Sequence, residues 1–280
     1  GQAVSAATAD GDAINIAAGT YGLSAQLNIS KAISIIGNGA VTLKATTDFG
    51  TNNSTKHLID IYAGTEAAPI TLSNLTLDCD GKCYGLNTYS NAYGVLNSVT
   101  ITNSKGAGLT VNGSTVVATN LSTSNNAWGA VNVDPGSGVT DPSVFTLNSG
   151  TLAESLQIWS DGANVTGTAT VTVHATGYNQ HSIDGYPASF FVWTNQPIAN
   201  KAVLTSGGNI KIYSTIQAAI NAASTTVADT INVGAGSYTE QITVNKNLTL
   251  TGAGASATTI QAPGTLVSDV DGAKDVVLFT

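Results

Sequence analysis

Residues 229–254 read DTINVGAGSYTEQITVNKNLTLTGAG, and residues 12–39 read DAINIAAGTYGLSAQLNISKAISIIGNG. Laid against each other, Asp12 meets Asp229, Lys31 meets Lys246, Gly37 meets Gly252 and Gly39 meets Gly254. The offset is 217 at Asp12, slips to 215 at Leu27 against Ile242, and returns to 217 at Leu43 against Ile260. Each copy alternates apolar and polar residues and breaks at glycine, the pattern of short half-buried strands joined by turns. One structural unit followed by the opening of a second copy accounts for this. Repetition on that scale makes an array or a polymer the expected assembly.

The intervening chain has the same texture. LIDI, ITLSNLTL, VTIT, LTV, VNV and ATVTV each have the length and period of a strand. Asn74, Asn97 and Asn120 are 23 residues apart, and Gly85, Gly108 and Gly129 are 23 and 21 apart. A repeat of about 22 residues holding two or three strands predicts an all-β fold, a right-handed parallel β-helix. One coil cannot bury its apolar face alone, so coils stack into a solenoid. Ile14, Ile16, Ile33, Ile35, Leu75, Leu77, Val99, Ile101, Leu109 and Val111 are the expected bore residues. The spaced Asn residues fit a bend, either as a stacked amide ladder or through turn preference alone.

STIQAAINAAS at 214–224 predicts a short amphipathic helix, with Ile216, Ala219, Ile220 and Ala223 on one face and Ser214 or Thr215 as N-cap. It stands just before the second copy, where it can cap the end of a solenoid. QAVSAAT at 2–8 aligns with its second half. The expected organisation is a β-helix unit over 1–200, then the cap helix and first coils of a second unit over 201–280. Within the first, 143–200 reads as wider last coils or a small β-subdomain.

All 9 basic residues are lysines, 9% of residues are charged, and the net charge is −8. No basic stripe exists to neutralise phosphates, which argues against nucleic acid. No apolar run approaches the ~20 residues that span a bilayer. The chain contains no Met and opens on no signal-peptide pattern, which suggests a processed or excised chain. Eight N-x-S/T sequons, at Asn28, Asn52, Asn53, Asn74, Asn112, Asn120, Asn164 and Asn247, suit an extracellular or cell-surface protein. A chain this rich in Asn, Ser and Thr also generates such sequons by composition. Cys79 and Cys83 in DCDGKC read either as a small disulfide-closed loop or as two reduced thiols.

STIQAAINAA followed by DTINVGAGSYTEQITVNKNLTLTGAG resembles the first coils of pectin methylesterases and related pectate-lyase-like β-helix proteins. Those open with a cap helix, a G-x-Y-x-E turn (here Gly236 to Glu240) and a K-x-[IL]-T-L-x-G-x-G strand (here Lys246 to Gly254). The N-terminal copy keeps the strand but not the Glu. The match covers about 40 residues at each end. It implies the fold more than any activity, because enzymes and non-catalytic bacterial or archaeal surface proteins share this opening.

The catalytic motifs of those enzymes are missing. Esterases of this type pair two Asp with an Arg, and this chain has no Arg. Glycoside hydrolysis needs paired carboxylates, and the central coils offer few. Asp78 and Asp80, with Lys82 and with Lys105 23 residues later, form one candidate cluster; a solvated loop is the plainer reading. Asp269, Asp271 and Asp275 form a second acidic loop, so a structural Ca²⁺ held through carboxylate oxygens is the cofactor these loops could take. His57, His174 and His181 share no metal spacing and read as turn or surface residues. Trp128, Trp159 and Trp193 could give a sugar-stacking platform or serve as core. The expected function is an extracellular structural or adhesive protein that associates head to tail with itself. The alternatives are a polysaccharide lyase or esterase, or a carbohydrate-binding module.

Overall fold

The computed structural model describes residues 2–134, 139–160, 168–186, 190–195, 198–268 and 271–280. The chain divides into two compact units, Gly1–Tyr178 and Asn179–Thr280. The first opens with helix α1 (Gln2–Ala6) and continues as β1 (Ala13–Leu23), β2 (Leu27–Ile29), β3 (Ser34–Ala45), β4 (His57–Ile61) and β5 (Ile70–Asp78). Next come β6 (Tyr84–Tyr89), β7 (Tyr93–Thr102), β8 (Ala107–Asn112), β9 (Thr115–Thr119) and β10 (Leu121–Ser124). It ends with β11 (Gly129–Val133), β12 (Ser143–Leu147), β13 (Gly150–Leu152), β14 (Ile158–Ser160) and β15 (Ala169–Val173). The chain moves back and forth between two parallel sheets. One has the order β1-β3-β5-β7-β9-β12-β15, with β10 between β7 and β13; within this unit the other runs β2-β4-β6-β8-β11-β14. Neither sheet closes on itself.

The alternation in sequence becomes alternation in burial. β5 reads ITLSNLTLD, and its Ile70, Leu72, Leu75 and Leu77 are all within 2% of full burial. The parallel register places Leu72 on Leu96, Leu75 on Val99 and Leu77 on Ile101. Stacked apolar columns follow, each fully buried Leu or Ile contributing roughly 1.5–3 kcal/mol. Of the expected core, Ile33, Ile35, Leu75, Leu77, Val99, Ile101, Leu109 and Val111 are buried. Ile14 and Ile16 on β1 are only half-buried.

A left-handed residue breaks the alternation in the middle of β5 and again in β7, where the strand bends. These residues are Asn74 and Ser98, both with φ 55°, and Asn120 repeats the conformation between β9 and β10. The expected Asn97 is one position off: it pairs with Ser73, so Ser98 stands at the bend. The Asn120 amide donates to Ser98 Oγ at 3.1 Å, an amide–hydroxyl column rather than an all-Asn ladder. Asn favours this conformation because its short polar side chain tolerates it. Gly85 and Gly108 are stacked across β6 and β8, and a Cβ on Gly85 would collide with the Gly108 carbonyl. Gly129 is not the third member of that stack: it pairs with Ala107.

The second unit contains β16 (Asn179–Ile183), β17 (Phe191–Thr194), β18 (Ala202–Ser206), β19 (Asn209–Tyr213) and helix α2 (Ile216–Ala222). It continues as β20 (Asp229–Val233), β21 (Gly236–Thr239), β22 (Ile242–Val244), β23 (Leu248–Gly252), β24 (Thr258–Gln261) and β25 (Val277–Phe279). Here parallel and antiparallel pairs mix: β16 with β17, β18 with β19 and β18 with β20 are antiparallel. The pairs β20–β23, β21–β24 and β22–β25 are parallel. α2 is capped by Thr215, whose side chain accepts from Ala218 N, and buries Ile216, Ala219 and Ile220. The Glu240 carboxylate accepts from Ile216 N and Gln217 N, both at 2.9 Å, satisfying two of the free amides of the first turn.

Candidate functional site

On the second sheet of the first unit, five successive strands place polar residues in one row and a sixth adds Trp159. Register pairs Asn28 with Asp60, Asp60 with Asn87, Asn87 with Thr110, Thr110 with Asn132 and Asn132 with Trp159. Two residues further along each strand a second row holds Tyr62, Tyr89 and Asn112, because side chains two apart share a face. These rows floor a cleft of about 530 Å³, walled by Lys56, His57, Tyr84 and Trp128. The aromatic rings meet edge to face: Tyr84 and Trp128 are 5.1 Å apart, Tyr62 and Tyr89 6.1 Å. Trp128 leaves 56% of its surface exposed, the largest exposed ring of the cleft.

Asp60 lies at the centre and is 1% exposed. Its carboxylate accepts from Tyr62 OH at 2.6 Å, from Asn87 Nδ2 at 2.7 Å and from Gln26 Nε2 at 3.4 Å. Burial pushes its pKa up to about 6, and the hydrogen bonds from Tyr62 and Asn87 restrain the rise. Burial likewise pushes the Tyr62 hydroxyl up, reinforced by its bond to Asp60. His57, also buried, falls to about 3, chiefly by desolvation and then by the charge of Lys56, so its imidazole is neutral. Its Nδ1 has no hydrogen-bond partner and stands 3.9 Å from Asp60 Oδ2. Lys56 is lowered by burial; its Nζ donates to Asn53 Oδ1 at 2.6 Å and lies 4.4 Å from the centre of the Tyr84 ring. Asn132 lies between Trp159 Nε1 and Asp134, and an amide turned with its oxygen to the indole N–H and its nitrogen to the carboxylate satisfies both.

This chemistry suits binding. Asp60 is the single acid among the described lining residues, so the cleft lacks the carboxylate pair of glycoside hydrolysis. Amides, hydroxyls and ring faces around a concave polar floor match a ligand with hydroxyls on its edges and C–H groups on its faces.

The residues expected from sequence are placed as follows. Asp78 accepts from Asn103 Nδ2 at 2.9 Å and from Asp80 N at 2.9 Å, and pairs with Lys44 at 3.2 Å. Burial works to raise Asp78, but these bonds outweigh it and its pKa is lowered. Asp80 pairs with Lys82 at 2.6 Å and Lys44 at 2.9 Å, and the hydrogen bond from Lys82 leads in holding it low. Lys105 goes instead to Asp48 at 2.6 Å. Lysines, not further acids, therefore surround Asp78 and Asp80. Asp269 lies outside the described residues; Asp271 and Asp275 are exposed. Among the described residues no three His, Cys, Asp or Glu converge as a metal site would require. Cys79 and Cys83 are buried free thiols. Their Sγ atoms donate to Tyr84 O at 3.4 Å and Cys79 O at 3.8 Å, and the hydrogen bond between the thiols, then burial, pushes Cys79 up. His57 and His181 are not surface residues: both are buried in strands, β4 and β16. Trp128 and Trp159 belong to the first unit, Trp193 to β17 of the second, where its ring lies 6.1 Å from Phe191.

Asp60, Asn87 and Thr110 escaped sequence reasoning. The signal lay in LIDIY, GLNTY, GLTVN and AVNVD, each with a polar residue third and a polar or aromatic residue fifth. No family model, no curated protein and no solved structure matches the chain.

Proposed function

We propose that this chain is an extracellular adhesive protein that holds a carbohydrate in the Asp60–Trp128 cleft. Its framework is a right-handed parallel β-helix of the pectate-lyase-like kind, growing end to end with copies of itself. The passage of the chain between two parallel sheets, with a left-handed bend at Asn74, Ser98 and Asn120, supports the β-helix reading. The observation that carries the function is the pairing of an amide and hydroxyl row with four aromatic rings in one cleft. A lyase or esterase reading finds less support, because Asp60 is already bound by three donors and no Arg is present to aid it.

The test is a panel of immobilised neutral and acidic glycans probed with the full chain. Binding to at least one glycan, weakened about tenfold by Trp128→Ala and by Tyr84→Ala, is the expected result; about 1.4 kcal/mol corresponds to tenfold. Binding unchanged in both variants would locate the ligand elsewhere, and release of unsaturated or reducing sugars would favour the enzyme. Electron microscopy of the concentrated protein tests the end-to-end part, with filaments expected.

A further inference from the structure

The floor of the cleft has a polarity that the identity of its residues alone does not fix. A side-chain amide is a donor at one end and an acceptor at the other, and a hydroxyl can be either, but an ionised carboxylate only accepts. Asp60, buried at the centre of the row, therefore dictates how its neighbours turn. Asn87 gives its nitrogen to Asp60 Oδ1 at 2.7 Å, and Tyr62 gives its hydroxyl proton to Oδ2 at 2.6 Å. Gln26 turns its nitrogen to the same Oδ2 at 3.4 Å, and to Asn28 Oδ1 and Ser54 O, while its oxygen takes the His57 amide at 2.9 Å. Further along the row Asn132 repeats the arrangement, with its nitrogen toward the carboxylate of Asp134.

The other end of each group is left for a ligand. Asn87 lines the cleft, and its Oδ1 keeps contact with solvent and has no hydrogen-bond partner among the described residues. Tyr62, 38% exposed, has spent its proton on Asp60 and presents only lone pairs. The charge behind these oxygens is not offset from within. Asp60 titrates at about 6 and is ionised above that pH. His57 is neutral, and its Nδ1 stands 3.9 Å from Asp60 Oδ2. Lys56, the cation of the wall, is tied at the rim, with Nζ on Asn53 Oδ1 at 2.6 Å and 4.4 Å from the centre of the Tyr84 ring.

We infer that Asp60 is a positioning residue that turns the cleft floor into a row of acceptors, so that the cleft selects neutral glycans, whose hydroxyls donate to Asn87 Oδ1 and Tyr62 Oη, over glycans bearing carboxylate or sulfate. An anionic sugar sets acceptor against acceptor at Asn87 and Tyr62, and its own charge against the buried carboxylate. Asn at position 60 donates as well as accepts, so it no longer holds the Asn87 amide in one orientation. The inference rests on the glycan reading of this cleft, and its test separates the two.

The full chain is titrated at pH 7.5 with neutral oligosaccharides, each paired with a uronate or sulfated counterpart of the same linkage. The tightest ligand is expected to be neutral, with its acidic counterpart at least about tenfold weaker. In that ligand, replacing hydroxyls one at a time by fluorine removes the donor and nearly keeps the size; at least one position is expected to cost about tenfold or more. Asp60→Asn is expected to bring the neutral-to-acidic affinity ratio below about threefold, a readout that general loosening of the fold, weakening both members of a pair alike, does not move. Asn87→Ala, which leaves Asp60 in place, is expected to weaken the neutral member alone. An acidic member that binds as tightly as its neutral partner, a ratio unchanged in both variants, or tolerance of fluorine at every hydroxyl would each overturn the inference and leave the glycan reading standing. Absence of binding to every glycan would overturn both.

Discussion

Substituting Asp60→Asn should change how the first unit's stability depends on pH. The carboxyl titrates at about 6 in the folded protein against 3.8 as a free side chain. Its folded pKa is raised, so its contribution is full below pH 3.8 and is lost as pH rises through 6. At about 1.4 kcal/mol per pH unit, a move from 3.8 to about 6 amounts to about 3 kcal/mol. His57 works the other way. Its pKa falls from 6.5 to about 3, so its contribution is full above pH 6.5 and is lost as pH falls through 3. In the wild type the two neighbours partly cancel between pH 4 and 6. The amide introduced by the substitution can still accept from Tyr62 and donate within the row, but it does not titrate. The variant should therefore gain about 3 kcal/mol relative to wild type as pH rises from 3.5 to 7. Urea unfolding at pH 3.5, 5 and 7 measures this. Tryptophan fluorescence in a Trp193→Phe background confines the probe to Trp128 and Trp159 of the first unit. Parallel stability curves for the wild type and the Asp60→Asn variant across that range would refute the claim that burial governs this carboxyl.

Trp128→Ala should lower urea stability by about 0.5–1.5 kcal/mol, the worth of its edge-to-face pair with Tyr84, while glycan affinity falls about tenfold. Phe145→Ala, at a fully buried ring of β12, should destabilise the first unit by about 3–5 kcal/mol in the same unfolding assay. Glu240→Ala removes the carboxylate that accepts from Ile216 N and Gln217 N, and should cost about 1 kcal/mol with faster amide exchange in the first turn of α2. Gly85→Ala should destabilise by at least about 1–3 kcal/mol, because its Cβ meets a backbone carbonyl that cannot swing aside.

The strands, the helix and the repeat were legible because each rests on local periodicity. ITLSNLTL becomes β5, STIQAAINAAS becomes α2 with Thr215 as cap, and the 217-residue offset becomes matched contacts at Asp12 and Asp229. What went astray depended on register between strands. Asn74 and Asn120 stand at bends while Asn97 misses by one, because Ser98 can also adopt the left-handed conformation and the sequence shows no preference between them. Equal spacing in sequence is therefore weaker than equal position in the coil when loops vary in length. The cleft was hidden for the same reason. Asp60, Asn87, Thr110 and Asn132 pair strand to strand, yet the first step is 27 residues and the others 23 and 22. The turn around Cys79–Cys83 and the loop after Tyr62 absorb the difference. The Asp78 and Asp80 charges that stand out in the sequence are neutralised by Lys82 within that turn and by Lys44 of the neighbouring β3. The uncharged rows beside them, unremarkable one residue at a time, acquire meaning only when backbone hydrogen bonding stacks them ~4.8 Å apart on a single face.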